Sequence, residues 1–131
     1  MSASSSGYAF NRTRNAYLAT DLAVADTHWS RFLGLMGTQS ANFRSGNGLW
    51  IVPCHGVHTW AMNFPIDVIY LDSTNTVVHL EHSLKPWRMA RVSMKTASIL
   101  ELPADTLNSS ATNLGDQIEI AIGELAKAAV R

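Results

Sequence analysis

Cys54, His55 and His58 fall in one stretch, LWIVPCHGVHTWAMNFPIDVIYLD from Leu49 to Asp72, which also carries Thr59, Trp60, Met62 and Asp67. Thiolate and imidazole suit zinc, copper or iron, and a thiol beside a histidine is the start of a nucleophile with its base. The spacing supports neither strongly. In an extended chain alternate residues share a face, so Cys54 can converge with His58 while His55 points away. Pro53 and Gly56 bend the path between them, and a fourth ligand would have to come from Asp67, His79 or His82. Adjacent Cys54 and His55 rarely face each other, which weakens thiol catalysis. The expectation is a small buried cysteine behaving as a hydrophobe, with no metal and no cofactor. An enzyme or metal-binding protein using Cys54, His55, His58 and Asp67 is the alternative.

A second constellation mixes aromatic and thioether surface with cations: Trp60, Met62 and Trp87 beside Lys85, Arg88 and Arg91. Rings supply contact area and a guanidinium supplies direction, a combination that holds a small, partly apolar anion or carbohydrate. The expected cleft is floored by Thr59, Trp60 and Asp67 and rimmed by Trp87 and Arg88, with Met62 and Lys85 completing the candidate ligand-binding set. The competing reading is packing, since Trp is mostly buried and Lys or Arg stems lie across it. Asp67 precedes the apolar run Val68 to Leu71, so its carboxylate must be paired or hydrogen-bonded. Arg31 is the nominated partner in a structural ion pair, with Arg88 second. His79 and His82 fall on opposite faces of a strand by parity, so they are not expected to act together.

The elements that would position these residues are read from periodicity. Ala16 to Ala25 alternates as a strand does, and Asp26-Thr27 offers an N-cap to a short helix with Trp29, Phe32, Leu33 and Met36 at spacings of three and four. Gln39 to Gly48 is loop. Strands are expected at Leu49–Val52, Val57–Met62, Ile66–Leu71, Thr76–His82, Ala97–Leu102 and Gln117–Ile122, with a helical turn or two after Pro103. The hairpin formed by Ile66–Leu71 and Thr76–His82 is expected at the centre of the sheet. Few helices and no regular alternation of strand with helix point to an antiparallel β-sandwich or barrel carrying one or two short helices. Residues 1–11 read as a flexible tail and 12–131 as a single β-rich domain.

At 131 residues, with 47% hydrophobic and 15% charged residues, the chain has enough material for one core. Ten basic residues balance ten acidic ones, so no global field draws it to nucleic acid or an anionic membrane, and neither is expected as a partner. A lone cysteine excludes an internal disulfide. Arg12 and Arg14 ahead of AYLATDLAVAD mimic a signal peptide, but Thr20 and Asp21 interrupt the apolar run, so a cytoplasmic address is expected.

Arg31, Gly34-Leu35-Met36, His58-Thr59-Trp60 with Met62, Pro65-Ile66-Asp67, the Lys85-Pro86-Trp87-Arg88 stretch and Gly115-Asp116 before a last strand occur in an order that resembles the domain-of-unknown-function 192 family of bacteria and archaea. The resemblance spans about Arg31 to Ile120, with Asn75 standing where a hairpin glycine is more usual. It implies a compact, jelly-roll-like β domain and brings no established activity. Three functions therefore compete: non-catalytic binding of a small ligand or partner segment, the enzyme or metal reading, and a structural or assembly role through an exposed sheet edge.

Overall fold

Ile66–Leu71 is apolar at every position except Asp67, the composition of a strand covered on both faces, and in the computed structural model every one of its residues is buried. The structure describes residues 7–27, 38–59 and 62–123. Over these the chain forms β1 (Gly7–Asn11), β2 (Ala16–Ala25), β3 (Asn47–Ile51), β4 (Ile66–Leu71), β5 (Val77–Leu84), β6 (Ser98–Pro103), α1 (Thr106–Ser110) and β7 (Ile118–Ala121), with a 3-10 turn at Ser40–Asn42. The expected mainly β fold with little helix is what forms.

The strands make a seven-stranded sheet in the order β5-β4-β6-β3-β2-β1-β7. Neighbours run antiparallel except β2 and β3, which pair in parallel from Asp21 opposite Asn47 to Ala25 opposite Ile51. A parallel neighbour needs a long crossover, and residues 26–46 supply it. The sheet curls until its two edge strands touch at one end, where Thr76 bridges Gln117 and the Val77 amide donates to the Asp116 carbonyl at 2.9 Å. Inside the curl lie Leu18, Leu22, Ile69, Leu71, Leu100, Leu102, Leu107 and Ile118. Against the outer face, Leu49, Ile51, Val68, Tyr70 and Ile99 meet Phe43, Met62, Phe64 and Ala90 from segments outside the strands. β4 is thus buried twice, alternate residues facing the interior and the outer layer.

Several expectations change. The hairpin β4–β5 is not central: β5 is an edge strand, and β6 inserts between β4 and β3. Burial of β4 on both faces comes from the loop layer outside it, a cause that an apolar run cannot distinguish from centrality. The tail expected over residues 1–11 is cut short, because 7–11 form β1, paired to both β2 and β7. Ala9 and Asn11 are fully buried, and Phe10 packs edge-on against Tyr17 with ring centroids 4.8 Å apart. Within the expected strand 57–62 the described residues form no regular strand but an isolated bridge of His58 to Met89. The helix expected after Asp26-Thr27 and the residue Arg31 lie outside the described residues, as do Trp60 and Ala61.

Asn75 takes φ 60°, a left-handed conformation that Asn tolerates better than most side chains. Asp72 ties the same turn, its Oδ1 accepting from the Thr74 and Thr76 amides at 2.9 and 3.0 Å. These bonds, that from Thr76 foremost, hold the Asp72 carboxyl below its ordinary range. At the far end of the hairpin, Asp67 accepts from the Ser83 amide at 2.8 Å and the Leu107 amide at 2.8 Å. Ser83 lies where the β4–β5 register shifts, and Leu107 is the second residue of α1, whose own N-cap, Asp105, makes no side-chain capping bond. One buried carboxylate therefore fixes a bulge and a helix end that are far apart in sequence. Asp67→Ala should lower stability by about 2–5 kcal/mol, because two buried amides lose their acceptor. Asp67→Asn, which keeps an accepting oxygen, should lose less; urea midpoints at unchanged slope measure both.

Candidate functional site

The candidate residues lie mainly in the irregular segments that cover the outer face, residues 52–59 with 62–65, and residues 85–97. Neither forms a regular strand, and Pro53, Pro65 and Pro86 each lack a ladder donor where they stand. They nevertheless pair with each other: Ser93 N–H donates to the His55 carbonyl at 3.0 Å, Ala90 N–H to Val57 at 2.9 Å, Thr59 N–H to Arg88 at 2.8 Å and Trp87 N–H to Thr59 at 2.9 Å. The layer is tied down to the sheet as well. Tyr70, on β4, donates its hydroxyl to the Arg91 carbonyl at 2.6 Å, and burial pushes its phenol upward.

Thr59 is the node. It is fully buried, donates its hydroxyl to the Lys85 carbonyl at 2.6 Å and accepts from the Arg88 amide at 2.8 Å. Its side chain is therefore spent on shaping the loop and is not presented to a ligand. That loop needs the support, since Trp87 between these contacts has φ 61°, a left-handed conformation that costs a side-chain-bearing residue roughly 1–2 kcal/mol.

The structure brings Thr59, Lys85, Trp87 and Arg88 together, with the Met62 amide on the same Thr59 carbonyl at 3.3 Å, and directs the Met62 side chain and Asp67 elsewhere. Met62 is buried in the outer-face core. Asp67 has the parity of Ile69 and Leu71, which face the interior, and its oxygens meet main-chain amides. Trp87 is 64% exposed, and Lys85 and Arg88 are exposed beside it. Cys54 is half-buried against the core, with its thiol 3.0 Å from the Gly56 carbonyl. His55 holds the Thr96 carbonyl at 2.6 Å through Nδ1; a carbonyl only accepts, so Nδ1 carries the proton. Among the described residues no group of three or more His, Cys, Asp or Glu side chains could hold a metal ion. His79 turns to Glu81 at 2.8 Å and lies edge-on to Tyr70.

Two features escaped the sequence reading. The first is a run of exposed apolar side chains on the 85–95 segment: with Trp87, Met89 is 67% exposed, Val92 62% and Met94 79%. The missing period of LKPWRMARVSM was the available signal, because a segment that buries no consistent face leaves large side chains outside. The second is Glu101. It pairs across the sheet with Leu49 and Val68, is buried, and its Oε1 has no hydrogen-bond partner among the described residues. Burial pushes its carboxyl up to about 8. A charged residue inside the strand SILELP was visible beforehand, but its facing direction was not.

A curled sheet with a loop layer over one face defines a class of small β domain, and comparison gives that class a family. The chain belongs to the DUF192 family, an uncharacterized ACR, whose model matches residues 9–120. It is 30% identical over 119 residues to a UPF0127 protein of Thermococcus sibiricus, covering 87% of this chain and 75% of the relative. A UPF0127 protein of Pyrococcus furiosus is 31% identical over 116 residues, covering 83% and 94%. The same fold occurs in a crystal structure of a protein of unknown function from Novosphingobium aromaticivorans, with a TM-score of 0.72, 15% identity and coverage of 86% and 82%. No described helix is long and apolar enough to cross a membrane.

Glu101 gives the fold a pH dependence with a definite sign. Its folded pKa of about 8 exceeds that of an unfolded glutamate, about 4.3, so between those values the folded state holds a proton that the unfolded state has lost. The stabilisation is full below about pH 4.3, declines as pH rises and is gone above about pH 8, a loss on the order of 5 kcal/mol. Urea midpoints of the wild type should fall across this window, and Glu101→Gln should flatten the fall and be the more stable protein at pH 8.

Proposed function

We propose that this chain is a non-catalytic binding domain and that its contact surface is the outward face of the 85–95 segment. The observation that carries the reading is the exposure of Trp87, Met89, Val92 and Met94 among Lys85, Arg88, Arg91 and Lys95. Solvent-exposed Trp and Met lose hydration favourably when covered, and the adjacent cations select an occupant with negative charge. The main chain beneath is pinned through Thr59, so little ordering cost remains on binding. Thr59, Met62 and Asp67 serve as support. Lys85, Trp87 and Arg88 make the contact, at a surface in place of a cleft.

Anilinonaphthalene sulfonate, an apolar aromatic anion, is a soluble probe of such a surface. Its fluorescence should rise on titration into the folded protein and fall several-fold in Trp87→Gly with Arg88→Ala. Glycine suits φ 61°, so that variant should keep or raise the urea midpoint while binding drops. Identical titrations for wild type and variant would sink the reading.

A further inference from the structure

We propose that the 85–95 face docks onto an anionic lipid surface. The inference rests on the surface reading above and names its partner. Whole-chain electroneutrality conceals a segregated charge: Lys85, Arg88, Arg91 and Lys95 occur without an Asp or Glu between them. All are exposed, and none forms a salt bridge with a described residue. Between these cations the apolar residues Trp87, Met89, Val92 and Met94 stand 62–79% exposed.

This interleaving fits a bilayer interface better than a protein groove. Protein interfaces are depleted in Lys and gather their apolar residues into a core inside a polar rim; here cations and apolar residues alternate along one segment of chain, and Lys stands at both ends. At a membrane, Trp settles at headgroup depth, Met and Val reach the acyl boundary, and Lys and Arg extend to the phosphates. Each cation near an anionic leaflet is worth about fivefold in affinity, so four give on the order of several hundredfold over a neutral surface. The anchoring supports the same use. The Trp87 amide is held by Thr59 at 2.9 Å and the Ser93 amide by His55 at 3.0 Å, while Tyr70 clamps Arg91 from below.

The test uses the full chain sedimented with phosphatidylcholine vesicles, with and without phosphatidylglycerol, at low and high salt. Binding should require the anionic lipid, weaken at high salt as exposed charges are screened, and shift the tryptophan emission of the wild type to the blue but not that of Trp87→Phe. Arg88→Glu with Arg91→Glu should lose on the order of 100-fold in affinity, and Trp87→Gly at least several-fold, with urea midpoints showing both variants folded. Undiminished vesicle binding by these variants would overturn the proposal. So would failure to sediment with anionic vesicles: if polyglutamate or the anilinonaphthalene probe still binds through Trp87 and Arg88, the lipid proposal falls and the surface reading stands, whereas no binding in any arm removes both.

Discussion

Strand β4 has no face turned to water, and the architecture follows from covering it twice. Its interior residues Ile69 and Leu71 meet Leu100 and Leu102 of β6 and residues from across the curl. The curl is what supplies them, by bringing β5 and β7 into contact at residues 75–77 and 115–118. Its outward residues Val68 and Tyr70 cannot be covered by another strand of the same sheet. They need a second layer, and two segments outside the regular strands provide it. At about 25 cal/mol for each Å² of apolar surface removed from water, a fully buried strand of this composition rewards both closures.

That layer explains how a loop can be irregular and well fixed at once. Its amides and carbonyls must find partners because the core lies beneath them, and they find them across the 52–59 and 85–97 segments, with Thr59 closing the part that the backbone alone leaves open. A polar side chain buried in this way fixes the path of the main chain, and the large side chains that the path cannot turn inward remain outside. The exposed row on residues 87–94 is thus a product of the same constraint that buries Thr59. Glu101, in the apolar region under the layer, has no partner for its Oε1 among the described residues, and burial favours its protonated form.

Polar anchors at the rim complete the closure. Asp116 accepts from Asn11 at 2.9 Å, from Arg14 at 2.9 Å and from the Asn113 amide at 2.9 Å. Burial pushes its carboxyl up, but these donors outweigh it and hold the group below its ordinary value. The bonds join the β1–β2 turn to the chain entering β7, next to the place where β7 meets β5. Arg12 and Glu119 add an exposed pair at 2.6 Å, which water screens and which contributes little.

Much of the fold was legible in the chain. Alternation over Ala16–Ala25, the solid apolar run Ile66–Leu71 and the turn residues between strands determine β structure, because a period of two and the punctuation of Gly, Pro and Asn are local properties. The need of Asp67 for donors was also local. Which donors answered it was not, since Ser83 and Leu107 reach it only after the hairpin and α1 are in place. Strand order, the edge position of β5 and the recruitment of residues 7–11 depend on pairings between distant segments, about which local periodicity is silent. The candidate surface divides the same way: the sequence supplied Lys85, Trp87 and Arg88 as a mixed aromatic and cationic group. Only tertiary structure decided that Thr59 would be buried beneath them and Trp87 left in solvent, because exposure is settled by what packs on the other side.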